Sequence, residues 1–224
     1  MIELIDKIKG RLTVDIREKT DPYLGKRRQR NLVTKNFTIF SNNCWGGHFY
    51  RYFNLPYLSP TIGMYFFAED YMKFLSNIKK YLEEEIRFVT YKESRYRNIL
   101  EERGGENLIC PIGIINDIEI VFLHYKTKDE ALSKWRRRTE RICWDNIIVK
   151  MSEMNLCTES IIKDFDKLQY DRKFIFTTKD YGVGSQIIWE SEFGSNEIKD
   201  DTTYFRKYIN PVALVNGAAD FHRY

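Results

Sequence analysis

Cys44 lies in the segment Phe37-Thr-Ile-Phe-Ser-Asn-Asn-Cys-Trp-Gly-Gly-His48, between a β-prone run and a stretch able to start a helix. A thiol on a strand-to-helix turn sits near a helix N-terminus, where the dipole favours thiolate. Gly46 and Gly47 would let backbone N–H groups approach an anion or acyl oxygen without Cβ obstruction. Asn42, Asn43 and Trp45 share the turn. His124 closes a second apolar run, residues 118–123, and is one of three histidines (48, 124 and 222). A cysteine nucleophile needs such a base, or a cation that lowers its pKa, within hydrogen-bonding reach. If the two runs are neighbouring parallel strands, both residues reach the same sheet edge, where α/β folds collect their ligands. His48 competes for the thiol from one helical turn away. The plain alternative is a glycine turn holding an inert cysteine, and a histidine that only packs at a strand end.

A second constellation comes after His124. Lys126, Lys128, Lys134, Arg136, Arg137, Arg138 and Arg141 cluster within one segment. Guanidinium forks suit phosphates and carboxylates, so a nucleotide diphosphate, coenzyme A or an acidic sugar would fit. A solvated face neutralised by Glu130 and Glu140 is the alternative. Asp220-Phe-His222, taken with Ser41 or Ser59, is one residue short of the Asp-x-x-His spacing of serine-glycine-asparagine-histidine esterases, and a C-terminal tail is the simpler reading. No His, Cys or Asp pair has helical ligand spacing with confirming partners, so no metal is expected.

Positioning these groups falls to alternating strands and helices. Strand patterns occupy 37–42, 118–123, 146–150, 173–177 and 187–189; residues 61–66 are a short strand or buried loop. Residues 1–16 read as an amphipathic helix with Ile2, Leu4, Ile8 and Leu12 near helical spacing, and Asp21-Pro22 with the basic run 26–30 as a connector. A helix is predicted over 69–84. Thr127 and Glu130 form a capping box for another that reaches about residue 141, with Ala131, Trp135, Ile142 and the stem of Arg138 on its inner stripe. Thr158 opens a helix to 168, and residues 204–208 form one stopped by Pro211. The alternation predicts an α/β fold: a mainly parallel, Rossmann-like three-layer sheet with flanking helices. It gives one domain over 36–215, an N-terminal helical extension over 1–35 and a tail over 216–224. The loops GxGxxG and GxxxxGK[ST] are absent.

Charge and cysteine content bound the setting. Ten Lys/Arg and five Asp/Glu fall in residues 1–35, so this segment carries the whole net charge of +4 and the rest is close to neutral. The run Lys26-Arg-Arg-Gln-Arg30 predicts a solvated surface or a peripheral contact with anionic lipid. No motif points to nucleic acid. The four cysteines (44, 110, 143 and 157) lack metal spacing. No signal peptide or apolar membrane span is visible. A cytoplasmic protein with reduced thiols, at most touching the inner face of a membrane, is expected. The oligomeric state is left open.

Three blocks together carry a resemblance: residues 37–47, Leu55-Pro-Tyr-Leu-Ser-Pro-Thr-Ile-Gly63, and Val121-Phe-Leu-His-Tyr-Lys126 followed by Ala131, Trp135, Arg137, Arg138 and Arg141. In this order and spacing they resemble the bacterial family known as domain of unknown function 1919, over roughly residues 30–215. Its members are often labelled exopolysaccharide biosynthesis proteins. The resemblance implies a place in capsule or surface-glycan assembly, with a glycan as acceptor. More distantly, Asn43-Cys44 is similar to the middle of the Gly-Asn-Cys-Gln turn of polysaccharide acetyltransferases; Asn42 and Trp45 replace its outer residues. That likeness implies acyl transfer, with Cys44 as nucleophile, His124 as base, and acyl-coenzyme A as a donor that is not tightly bound. Asn42, Asn43, Trp45, Gly46, Gly47 and Ser59 would line the site, and Lys126, Arg137, Arg138 and Arg141 would hold the donor phosphates. Two other readings use the same residues: sugar or sugar-phosphate transfer from a nucleotide donor, which needs no thiol, and a non-catalytic glycan-binding assembly subunit.

Overall fold

The computed structural model describes residues 2–218 and 220–222, with side chains from residue 10 onward. Its strands form two four-stranded sheets. The first is wholly parallel, in the order β1 (Thr38–Ser41), β6 (Ile147–Ser152), β7 (Lys173–Thr177), β8 (Gln186–Ile188). The second is antiparallel, in the order β2 (Tyr65–Phe66), β5 (Ile118–Val121), β4 (Ile112–Ile115), β3 (Arg87–Val89). The fold is therefore mixed α/β, and this corrects one expectation. The run 118–123 does not extend the parallel sheet. It is the return arm of a hairpin in which Ile115 pairs with Ile118 across Asn116-Asp117. Asn116 takes φ 53°, the left-handed conformation that tight hairpin turns require and that asparagine tolerates.

Alternation along the parallel strands splits the core into two faces. Phe40, Val149, Met151 and Ile175 point to one side and pack with Phe66, Phe74, Ile118, Ile120, Trp135 and Phe165. Ile39, Ile148, Phe174 and Phe176 point to the other and pack with Trp45, Phe49, Trp189 and Phe205. A smaller cluster, including Tyr65, Phe67, Leu100, Ile112 and Val121, covers the far face of the antiparallel sheet. The many aromatic residues thus serve largely as core.

Helix ends obey local chemistry. Thr127 Oγ1 accepts the Glu130 amide (3.1 Å) and opens α6 (Lys128–Thr139), while Glu130 Oε2 accepts the Lys126 amide (3.2 Å) instead of closing the box on Thr127. Thr158 caps α7 (Glu159–Lys167) in the same way. The helix predicted over 69–84 divides into α3 (Ala68–Ser76) and α4 (Ile78–Glu83). At the break, Ser76 Oγ donates to the Lys73 carbonyl (2.7 Å), a local bond that competes with helix propagation. α5 spans Arg97–Glu102. The expected helix at 204–208 is one 3-10 turn, Phe205–Lys207. Pro211 does not stop a helix but starts α8 (Pro211–Val215), its missing N–H harmless at the first position, with Asn210 Oδ1 capping Val212 and Ala213.

The N-terminal segment departs most from expectation. The stripe Ile2, Leu4 and Ile8 lies outside the described side chains. α1 does not end near residue 16; it runs Ile2–Arg28, through Pro22. The chain beyond Pro22 is tied to α2 (Trp45–Tyr52). Arg28 donates to Asp21 (2.6 Å) and to the Tyr52 carbonyl (2.7 Å), and Gln29 donates to the carbonyls of Phe53 (2.7 Å) and Asn54 (3.2 Å). These donors satisfy carbonyls that the end of α2 leaves unpaired. Among the described residues, no helix is long and apolar enough to cross a membrane.

Gly25 makes the α1–α2 contact possible. A Cβ there would lie 2.7 Å from the Asn54 nitrogen and 2.7 Å from the Phe53 carbonyl carbon, both backbone atoms that cannot swing aside. Gly25→Val should therefore lift α1 from α2, cost about 1–3 kcal/mol, and speed tryptic cleavage at 26–28. Thermal melting and limited proteolysis against the wild type check both effects.

Candidate functional site

The carboxyl end of the parallel sheet is where β1 turns into α2, and its side chains are locked by a polar network. Asn42 acts as an extra strand residue: its Oδ1 accepts the Ser152 amide and its Nδ2 donates to the Ser152 carbonyl, both at 3.0 Å. Asn43 Oδ1 accepts from Ser41 Oγ (2.9 Å), the Trp45 amide (3.1 Å) and Lys150 Nζ (3.0 Å). Lys150, in β6 opposite Ser41 at the end of β1, is wholly buried and ion-paired with Asp201, which is 1% exposed. Asp201 Oδ2 also accepts from Ser152 Oγ (2.5 Å) and Asn43 Nδ2 (2.8 Å). The ammonium lies 5.7 Å from the Trp45 ring centroid and 5.5 Å from that of Phe176, within cation–π range. Burial pushes the Lys150 pKa down, and Asp201 pulls it back.

Cys44 is the residue before α2, at the edge of this network. Its sulfur is within 3.8 Å of the Met64 carbonyl oxygen, and among the described residues no hydrogen bond joins it to an imidazole. Burial, and then the Asp201 charge, push the thiol up to about 12, against weaker opposing effects of Lys150 and Arg51. The thiol at rest is protonated.

Cys44 and His124 nevertheless line the same cleft, of about 260 Å³. They arrive from different sheets: Cys44 past the end of β1, His124 past the end of the antiparallel β5. The shared parallel edge inferred from sequence does not exist. A loop bridges them instead. The His124 amide donates to the Gly63 carbonyl (3.0 Å), and Ile62 packs on α2. Gly46 and Gly47 allow that packing, since a Cβ on them would lie 3.0 Å and 3.2 Å from Ile62 methyl carbons. The Gly47 amide is taken by the Cys44 carbonyl (3.1 Å), so it does not stand ready for an oxyanion.

The other predicted residues separate. Arg138 lines the cleft from α6 but is itself structural in part: its Nη1 donates to the Ile62 carbonyl (2.9 Å) and Tyr125 hydroxyl (2.6 Å), and its guanidinium lies over Tyr57 at 5.0 Å. Lys134, one turn earlier, lines the same cleft. Arg137 and Arg141 are exposed and are not among the cleft's lining, and Lys126 faces a separate depression beside Thr127. Trp45 is packed among Phe49, Phe174 and Phe205, its ring wholly buried. Ser59 is buried against Thr61, Oγ to Oγ1 3.1 Å. Arg51, Tyr57, Tyr125, Lys150 and Asp201 were not singled out from the sequence. Only Lys150 carried a local signal: a cation at an inward position of an apolar strand.

The cleft's charge is one-sided. Arg51, Lys134 and Arg138 line it together with His48 and His124, and no carboxylate is among its described lining; Glu130 pairs with Lys134 at 2.8 Å and Glu18 with Arg51 at 3.4 Å from outside it. His48 is held neutral: burial, then the neighbouring Arg51 charge, lower its pKa to about 4, and Arg51 Nη2 lies 3.0 Å from its Nδ1. Such a basin suits a phosphate, diphosphate or carboxylate.

Comparison with known proteins agrees on kinship and is silent on chemistry. A family model described as a domain of unknown function (DUF1919) matches residues 16–216. An uncharacterised protein of Haemophilus influenzae is 32% identical over 159 residues, which cover 71% of this chain and 70% of that protein.

Two outcomes test the electrostatics. Lys150→Met leaves the Asp201 carboxylate buried without its partner and should cost about 3–5 kcal/mol in urea unfolding, while the double variant Lys150→Met/Asp201→Leu should recover most of it. His48 has its folded pKa lowered from the ordinary 6.5 to about 4. The unfolded chain therefore binds this proton first. The His48 contribution is complete above pH 6.5 and is lost as pH falls toward 4, by about 3 kcal/mol at most. Over that window, His48→Gln should show a shallower loss of stability than the wild type.

Proposed function

The chain belongs to the DUF1919 family, and we propose that it is a group-transfer enzyme of surface-polysaccharide assembly that holds the phosphoryl part of an activated sugar donor in its cationic cleft. The observation that carries this reading is the convergence of Arg51, Lys134 and Arg138 with two imidazoles on one cleft whose described lining includes no carboxylate. A nucleotide-linked sugar brings a diphosphate that such a cleft can neutralise, and the leaving phosphate gains charge as the sugar departs. His124, exposed at the rim, is positioned to take the proton of the acceptor hydroxyl as that oxygen bonds to the donor. Cys44 has no role in this chemistry beyond its bond to Met64. The glycan setting rests on the likeness of residues 37–47, 55–63 and 121–141 to chains labelled for exopolysaccharide biosynthesis.

Cysteine–histidine acyl transfer is the second reading, favoured by one observation: Cys44 and His124 share the cleft. There the same cations would hold the phosphates of acyl-coenzyme A, and the thiol would have to lose its proton on substrate binding. Both readings draw on a donor found in the cytoplasm. A membrane-bound acceptor would be met through the end of α1 and the turn after it, where Lys26, Arg27 and Arg30 are exposed beside Tyr23 and Leu24.

Titration with uridine diphosphate separates these ideas. Lys134→Ala and Arg51→Ala should each weaken its binding by about tenfold or more, since a hydrogen bond to a charged group contributes about 1.5–3 kcal/mol. Cys44→Ala should bind it as the wild type does and retain sugar transfer to purified surface glycan. If Cys44→Ala and His124→Ala both abolish acetyl transfer from acetyl-coenzyme A, and no nucleotide sugar is used, the acyl-transfer reading replaces this one.

A further inference from the structure

A second cavity, of about 440 Å³, opens between α1 and α2 and continues the cationic cleft, because His48, Arg51 and Tyr57 line both. Val14, Arg17 and Asp21 wall it from α1, and Leu55, Phe205 and Arg206 from the opposite side. Two features set it apart from a packing gap. Among the described residues, Arg17 Nε is buried with no hydrogen-bond partner, and Arg17 Nη1 makes one long bond, to the Thr202 carbonyl (3.4 Å). The Arg206 charge also bears on Arg17: burial, and then Arg206, lower the Arg17 pKa to about 10 against the weaker opposing charges of Asp21 and Asp200. An anion bound beside Arg17 would relieve that repulsion and give Nε an acceptor. The carboxylates that line the cavity already have cationic partners, Asp21 with Arg28 at 2.6 Å and Glu18 with Arg51 at 3.4 Å. Leu55, Tyr57 and Phe205 add apolar surface of the kind that packs on the flat face of a sugar ring.

We propose that this cavity is an acceptor subsite that takes an anionic saccharide, with Arg17 holding its phosphate or carboxylate and the aromatic wall its ring. Its role as acceptor site rests on the transfer reading above; its ligand chemistry does not. α1 then forms part of the site, and the two lobes, joined at Arg51 and Tyr57, hold donor and acceptor side by side.

The test is calorimetric titration of the full chain with glucose 1-phosphate, glucuronate, neutral glucose and uridine diphosphate. Arg17→Gln removes the charge, and Val14→Trp fills the cavity while keeping it. Both variants should weaken at least one anionic sugar by about tenfold or more, leave uridine diphosphate unchanged, and melt near the wild type. Lys134→Ala should do the reverse. Loss of glucose 1-phosphate alone identifies a phosphosugar, and loss of glucuronate alone identifies a uronic acid. The proposal is overturned if neither anionic sugar binds, if glucose binds as well as they do, or if both α1 variants bind them like the wild type. Absent binding of uridine diphosphate beside Arg17-dependent binding of a sugar would sink the donor reading and leave this subsite standing.

Discussion

Lys150 lies inside β6 with no exposed surface, and an ammonium in that position is tolerable only if every donor finds an acceptor. Asp201 and Asn43 supply acceptors, and the faces of Trp45 and Phe176 supply the rest of its surroundings. Much of the surrounding geometry results from that requirement. Asp201 comes from the chain after β8, so the segment beyond that strand must fold back over the sheet edge. Asn43 must point inward, which fixes the first turn of α2. Cys44, the next residue, is therefore placed by the ion pair and not by any need of its own. The thiol's reluctance to ionise comes first from burial, and the Asp201 charge adds to it against the weaker pull of Lys150.

How far the sequence foretold this depends on the element. β1, α6, β6, α7 and β7 were legible, because period-2 and period-3.6 patterns and threonine caps are local signals. The inner stripe of α6 was also legible: Ala131, Trp135 and Arg138 are buried as their spacing requires. The direction of the run 118–123 was not, because four alternating residues look alike in a parallel sheet and in a hairpin arm. The hint lay next door, in two apolar runs flanking Asn116-Asp117. The extent of α1 was hidden for another reason. Pro22 reads as a break, but tertiary bonds from Arg28 and Gln29 to the end of α2 outweigh one missing hydrogen bond.

The candidate site was half visible. Cys44 and His124 do share a cleft, though the parallel edge invoked to unite them is absent; the loop 59–63 does that work. The cluster of cations divides by helical phase, Lys134 and Arg138 inward and Arg136, Arg137 and Arg141 outward. Trp45 shows the limit of motif reading. A tryptophan beside a reactive residue type looks like a ligand platform, and nothing local announces that Phe49, Phe174 and Phe205 will enclose it. The partners that decide the chemistry, Arg51 and Asp201 above all, come from distant parts of the chain and carry no pattern of their own.

Gly46 and Gly47 have a mechanical consequence. With no Cβ between them, the backbone of α2 rests on Ile62, the Gly63 carbonyl takes the His124 amide, and a Cβ on Gly63 would meet the Tyr125 ring at 3.2 Å. The contacts run from one wall of the cleft to the other through the Ile62 side chain and the Gly63 carbonyl. α2 therefore leans on the loop that accepts the His124 amide. Because α1 is fastened to the far end of α2, whatever seats itself against α1 bears on the same stack of contacts.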